Sequence, residues 1–214
     1  MSASPLVYVD TNILVSYALG EERDAGFPTA EKFFGEVAKG NYVVLVSSFV
    51  LSEALHTLRN IATEQVYREA KNGLSQQDLI DIANSREFRD EVNDRSLGAF
   101  KTIIGFITTD PDHFKFGDLK TVYLEEMFQK ALKTLSEGFG EFRVYRSRCP
   151  KCDSPIACYK CGFDSKIVYK SVNAPDLTHL LISTSLGCKY LFTMDKYFAK
   201  IPKNESQSEI KVIF

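Results

Sequence analysis

Four acids lie where an α/β chain could gather them. The run Leu6-Val7-Tyr8-Val9-Asp10-Thr11-Asn12 is apolar and ends in Asp10. The run Tyr190-Leu191-Phe192-Thr193-Met194-Asp195 repeats that pattern and ends in Asp195. Glu53 falls one turn into a helix that follows a second apolar run, and Asp176 falls in the first turn of a later helix. Strand ends and the starts of the helices that follow them share one edge of a parallel sheet, the edge where such sheets place their sites. Carboxylates crowded there would repel one another. Mg²⁺ or Mn²⁺, which prefer hard oxygen ligands, would resolve that conflict. One or two such ions can hold a phosphodiester, activate a water and neutralise the departing oxygen. Asn12 and Thr193 lie two residues from Asp10 and Asp195 and could orient carboxylates or waters. Taken singly, each acid also has a plainer role as a helix cap, a turn former or a partner of a helix dipole.

The elements that would position these acids can be read in order. A first strand covers about 6–10 and a helix runs on to about Leu19. A second helix fits 29–38, with Thr29 as cap and Gly40 as stop. Tyr42-Val43-Val44-Leu45-Val46 is a continuous β-branched run that suits a strand buried on both faces. Ser47 or Ser48 then caps a helix whose apolar positions 50, 51, 54, 55 and 58 follow helical spacing. Residues 60–100 read as further helices, broken near Asn72-Gly73. Lys101 to Thr108 fits a strand or the end of a helix; its β-branched residues and the turn Asp110-Pro111-Asp112 favour a third strand. An amphipathic helix follows from Asp118 to about Leu135. Asn173-Ala174-Pro175-Asp176 opens another, and Ile210 to Phe214 is a last strand. Strands alternating with helices predict a mostly parallel sheet with helices on both faces.

Between Phe142–Ser147 and Lys166–Ser171, two alternating stretches that read as a hairpin, lie Cys149, Cys152, Cys158 and Cys161. Two two-residue-spaced pairs can close a tetrahedral Zn²⁺ site of four thiolates, with an iron–sulfur group or a redox dithiol as alternatives. A module so short has no core, so the metal would supply its folding energy. Residues 141–171 hold seven basic and three acidic side chains, a net of +4, which leaves −6 on the rest of a chain whose total is −2. Arg143, Arg146, Arg148, Lys151 and Lys160, interleaved with Tyr159 and other aromatics, suit phosphate contact and base stacking on single-stranded or unpaired nucleic acid, RNA first among them. The same hairpin could instead pack on the body or on a second subunit, its cations solvated.

The three histidines carry less. His179, one turn after Asp176, could face the acid cluster, while His56 and His113 read as structural or exposed. Cys188 reads as a small buried hydrophobe beside a core strand. The composition, 44% hydrophobic and 25% charged, is that of an ordinary globular chain, and 214 residues suffice for one domain with an insertion. Its overall charge makes no argument for a polyanion, so any nucleic-acid surface must be local. No apolar run approaches a membrane span and no export signal is visible, so the expected location is cytoplasmic, with no membrane partner.

The pattern Val7-Tyr8-Val9-Asp10-Thr11-Asn12, then Ser52-Glu53, then Asp176 opening an apolar helix, then Thr193-Met194-Asp195-Lys196-Tyr197-Phe198 resembles the PIN-domain nucleases, in particular their VapC-like group. The resemblance covers about 1–58 and 174–214 well and 101–137 loosely. It implies a compact three-layer α/β/α sandwich and Mg²⁺- or Mn²⁺-dependent cleavage of RNA. In that pattern Asp10, Glu53, Asp176 and Asp195 match the acidic ligands, and Asn12 and Thr193 the supporting polar positions. To it this chain adds the 60–100 helical extension and the hairpin of 141–172, which resembles a small zinc ribbon. The expectation is one PIN-like domain, 1–214, acting as an endoribonuclease. A catalytically inactive RNA-binding or scaffolding protein, and a toxin held by an antitoxin, are the alternatives. The added helices could bind such a partner or mediate a homodimer. The zinc module suits a partner in RNA processing, and no residue excludes DNA as substrate.

Overall fold

A computed structural model describes residues 4–70, 81–82, 84–118, 140–144, 167–171, 174–196, 198 and 209–213. The strands of the core are β1 (Leu6–Val9), β2 (Val43–Val46), β3 (Phe114–Phe116), β6 (Tyr190–Thr193) and β7 (Glu209–Val212). They form a sheet in the order β3-β2-β1-β6-β7, five strands among the described residues, with every neighbouring pair parallel. The helices are α1 (Thr11–Leu19), α2 (Phe27–Ala38), α3 (Ser48–Ala70), α4 (Arg86–Thr109) and α5 (Ala174–Ser185). From β1 the chain steps outward to β2 and β3, then returns to the other side of β1 for β6 and β7. Strand order therefore reverses between β1 and β6, and a crevice opens beyond the carboxyl ends of those two strands.

Val7, Tyr8 and Val9 point to alternate faces, yet all three are fully buried, so both faces of β1 are covered. Val9 is in register with Phe192, so these two share a face opposite Tyr8. Phe33 of α2 meets Phe192 at 4.8 Å between ring centroids, and His179 of α5 meets Tyr8 at 5.7 Å. One helix layer lies on each face, and the fold is the α/β/α sandwich that the alternating elements predict. Among the described residues no helix is long and apolar enough to cross a membrane.

Two expectations are corrected. Lys101 to Thr108 is not a strand but the last turns of α4, and the third strand is Phe114–Phe116 beyond the turn. Ser85 starts α4, its Oγ accepting the backbone N–H of Phe88 at 3.1 Å. The helix then carries through its β-branched residues because Ile103 and Phe106 lie on the side that packs into the core. Burial of one helical stripe outweighs the few tenths of a kcal/mol by which such residues disfavour helix. Likewise α2 begins at Phe27, before the expected Thr29, with Gly26 as cap and Pro28 in its first turn, where a missing N–H costs nothing.

Helices are present in 60–100 as read: α3 runs to Ala70 and α4 starts at Arg86. Ala62, Val66 and Val92 pack between them with Phe88, and Arg95 grips both carboxylate oxygens of Glu69 at 2.7 and 2.8 Å. Ser85→Ala is expected to cost about 1 kcal/mol by loss of the cap, a fall of roughly 2–4 °C in Tm for a chain of this size. Thermal unfolding followed by circular dichroism checks it, and an unchanged Tm would mean that packing alone starts α4.

The hairpin exists as a pair of antiparallel strands, β4 (Gly140–Val144) and β5 (Ile167–Ser171), with Phe142 opposite Tyr169. Arg143 lies on β4. Cys149, Cys152, Cys158 and Cys161, together with Arg146, Arg148, Lys151, Tyr159 and Lys160, lie outside the described residues, as do Asn72-Gly73, Asn173 and the helix expected to follow Asp118. Cys188 is buried in the core at 3% exposure, and burial pushes its thiol up to about 12, so it behaves as the inert hydrophobe its setting suggested.

Candidate metal centre

The crevice at the strand reversal is a cavity of about 320 Å³ lined by Asp10, Thr11, Asn12, Val15, Ser16, Asp24, Glu53, Thr57, Ile61, Asp176 and Asp195. All four acids singled out in the sequence line it, although 185 residues separate the first from the last. Asp10 follows β1 and Asp195 follows β6. Glu53 stands on the second turn of α3, whose start is fixed by Ser47: its Oγ accepts the N–H of Val50 at 3.2 Å. Asp176 stands in the first turn of α5.

Asp10 occupies the cap position of α1, but its side chain makes no capping bond to that helix. The plainer reading of an Asp after a strand therefore fails here. Its Oδ2 instead accepts from Thr193 Oγ1 at 2.6 Å and from Asn12 Nδ2 at 2.7 Å. Asn12 Oδ1 accepts the N–H of Met194 at 3.2 Å, which fixes which way the amide points. Thr193 Oγ1 in turn accepts from Asn12 Nδ2 at 3.2 Å and from the N–H of Asp195 at 2.9 Å. Asn12 and Thr193 thus tie the two strand ends together and hold one oxygen of Asp10, as second-layer partners of a metal ligand do.

Glu53 is held in the same manner by different residues. Its Oε2 accepts from Thr11 Oγ1 at 2.5 Å and lies 2.6 Å from His179 Nε2. His179 Nε2 is also 3.3 Å from Asp10 Oδ1. One donor atom from each of Asp10, Glu53 and His179 falls within a 4.8 Å spread, close enough to touch a single ion. Burial lifts the Asp10 carboxyl above its ordinary value, against the opposing pull of His179 and Thr193. Burial also pushes Glu53 upward, but the hydrogen bonds of His179 and Thr11 together outweigh it and bring Glu53 below its ordinary value.

Thr11 and Asp24 line the cavity, and Tyr8 and Ser47 reach it through His179, although no local pattern marked any of the four. Tyr8 and Ser47 read as core and cap. Asp24 sits in a polar loop that looks like any other; its Oδ1 accepts from Ser16 Oγ at 3.0 Å and from the N–H of Gly26 at 2.6 Å. A Cβ on Gly26 would fall 2.8 Å from Ser16 Oγ and 2.9 Å from Asp24 Oδ1, so a larger residue here would displace those two side chains. His56 is exposed and bonded to Asn60, and His113 is bonded to Asp110, both away from the cavity lining.

The donor set is one of hard oxygens with one imidazole beneath it, which fits Mg²⁺ or Mn²⁺. No protein-family model matches the chain, and no curated protein matches it. Among solved structures, the crystal structure of VapBC2 from Rickettsia felis bound to a DNA fragment from their promoter is similar over 98% of this chain and 99% of its own, at 11% identity and a TM-score of 0.48. A likeness at that level assigns this chain neither its fold nor its function; both rest on its own strands and side chains.

Proposed function

We propose that the chain is a Mg²⁺- or Mn²⁺-dependent endoribonuclease of the PIN-like kind that its sequence resembles. The observation that carries the reading is the convergence of Asp10, Glu53, Asp176 and Asp195 on one cavity at the strand reversal. Asp10 and Glu53 would be central ligands, each with one oxygen held by protein donors and the other available to a cation. Asp176 and Asp195 would complete the shell or bind its waters. The ion supplies Lewis-acid chemistry: it polarises the phosphate and makes water a stronger nucleophile. The protein fixes the carboxylates in place through Asn12, Thr193, Thr11 and His179, so that no side chain has to reorganise when substrate arrives. Val15, Thr57 and Ile61 give the cavity a less polar wall that would lie against sugar or base rather than phosphate.

The hairpin sequence suits unpaired nucleic acid, and RNA is the substrate that the resemblance implies. Its Cys149, Cys152, Cys158 and Cys161 would hold a structural Zn²⁺. Arg143, Arg146, Arg148, Lys151, Lys160 and Tyr159 would then meet phosphates and unpaired bases. Without this arm the remainder of the chain is acidic and would repel a polyanion.

The test is a cleavage panel of single-stranded RNA, structured RNA and DNA, run with Mg²⁺, with Mn²⁺ and with EDTA. RNA cleavage is expected with either ion and none with EDTA. Cleavage that survives EDTA, or no cleavage of any substrate with either ion, would overturn the reading in favour of a binding or scaffolding role.

A further inference from the structure

Below the cavity His179 is 1% exposed, and it belongs to a chain of hydrogen bonds whose direction can be worked out. Ser47 Oγ accepts the N–H of Val50 at 3.2 Å, so its own proton is free to point elsewhere. It lies 2.8 Å from the hydroxyl of Tyr8. That hydroxyl lies 3.2 Å from His179 Nδ1. At the far end Nε2 lies 2.6 Å from Glu53 Oε2. Nitrogen and a carboxylate oxygen that close need a proton between them, because two lone pairs would repel. Oε2 already accepts from Thr11 Oγ1 at 2.5 Å, so it acts as an acceptor here and the proton belongs to Nε2. In the neutral ring Nδ1 is then the acceptor, Tyr8 donates to it, and Ser47 donates to Tyr8. With the ring neutral, every member from the Val50 amide to Glu53 is satisfied in this sense.

We infer that His179 is a positioning residue rather than a metal ligand: the relay from Val50 through Ser47 and Tyr8 fixes its Nε2–H, and that N–H, with Thr11, holds Glu53 Oε2 and leaves Oε1 for the cation. The inference rests on the metal-centre reading for its last step only. Its consequence is selectivity. The imidazole is turned away from coordination, so the ion meets oxygen alone, and the affinity that a nitrogen ligand would give Zn²⁺ or Ni²⁺ is withheld. The sites of Asp10 and Glu53 become alike: Asn12 and Thr193 occupy Oδ2 of one, Thr11 and His179 occupy Oε2 of the other.

Two measurements on the full chain test it. The long-range ¹⁵N spectrum of metal-free protein, with the His179 signals assigned by their loss in His179→Gln, reads the tautomer near neutral pH. Protonation at Nε2 alone is expected, and protonation at Nδ1, alone or together with Nε2, overturns the relay. Mn²⁺ binding is then followed by electron paramagnetic resonance. His179→Phe, a ring with no donor, is expected to weaken Mn²⁺ by about 10-fold or more. His179→Gln, whose amide can reach the Nε2 position, should restore most of that loss. Electron spin-echo spectra of Mn²⁺-loaded protein should show no directly bound imidazole nitrogen. A bound nitrogen, or wild-type affinity in His179→Phe, overturns the positioning role. Wild-type protein that takes up no Mn²⁺ yet shows the Nε2–H tautomer would overturn the metal centre and leave the relay upheld.

Discussion

Asp10→Asn is expected to abolish cleavage and, in EDTA, to make the protein more stable than wild type. The two effects share one cause. Asp10 is a carboxylate at 5% exposure, packed beside Glu53, and burial raises its proton affinity. Without a cation the folded state binds that proton more tightly than the unfolded chain does. The contribution is fully favourable below the unfolded carboxyl value and is lost as pH rises through the higher folded one. At pH 7 the charge is therefore a burden on the apo fold that asparagine lacks. The gain should be of the size a single stabilising substitution gives, about 1–2 kcal/mol, or several degrees in Tm. It should shrink as pH falls through the raised carboxyl value of folded Asp10, below which wild type is protonated too. Mn²⁺ should raise the Tm of wild type and leave the variant nearly unmoved. Cleavage should fall by about 10³-fold or more, since a central ligand supports several kcal/mol of charge stabilisation. Cleavage by Asp10→Asn at the wild-type rate would remove Asp10 from the site. A variant less stable than wild type in EDTA at every pH would show that the bonds from Asn12 and Thr193 outweigh the cost of burial.

What could be read in the sequence is what local pattern controls. Leu6 to Asp10 and Tyr190 to Asp195 are short apolar runs ended by an acid, and each became a strand with the acid at its carboxyl end. Glu53 was placed because Ser47 and Ser48 mark the start of α3 and set its phase. The outer details of the site depend on who meets whom across the sheet, and no local pattern encodes that. Tyr8 in an apolar run reads as core, which it is; its hydroxyl matters only because α5 crosses the face that Tyr8 points to. Asp24 had no signal, since its part comes from a turn closed by Gly26. Lys101 to Thr108 has the composition of a strand, but Ser85, sixteen residues upstream, had already set a helix that core contacts then sustained. Sequence pattern thus picked out four acids that line one cavity and not their neighbours, because a strand end or a helix turn is marked locally while the partners depend on the assembled layers.

The largest loss of stability is expected from Phe34→Ala. Phe34, on α2 and 2% exposed, has four ring neighbours among the described residues. Tyr17 of α1 lies at 4.7 Å between centroids, Phe106 of α4 at 5.0 Å edge-on, Phe33 at 5.1 Å and Phe114 of β3 at 6.3 Å. Phe106 and Phe114 also touch, at 5.0 Å. This ring therefore joins α1, which carries Thr11, Asn12 and Val15 into the cavity, to the last turns of α4 and to the edge strand. Truncation to Ala removes the buried ring and leaves a void between three elements that are separately anchored and cannot close on it. A loss of about 3–5 kcal/mol follows, against a total of roughly 5–15 kcal/mol for a typical domain. Tm should fall by roughly 10 °C or more. Phe116→Ala is the control: Phe116 is 65% exposed on the same edge strand, and its loss should change stability by no more than about 0.5 kcal/mol. Mn²⁺ affinity measured well below the lowered Tm should be close to wild type, because Asp10 and Glu53 are oriented by Asn12, Thr193, Thr11 and His179 and none of these touches Phe34 in its ring cluster. A stability loss under about 1 kcal/mol would mean that the helices do repack around the missing ring. A loss of Mn²⁺ binding in the still-folded variant would mean that α1 is held in place by the aromatic cluster rather than by the hydrogen bonds at its start.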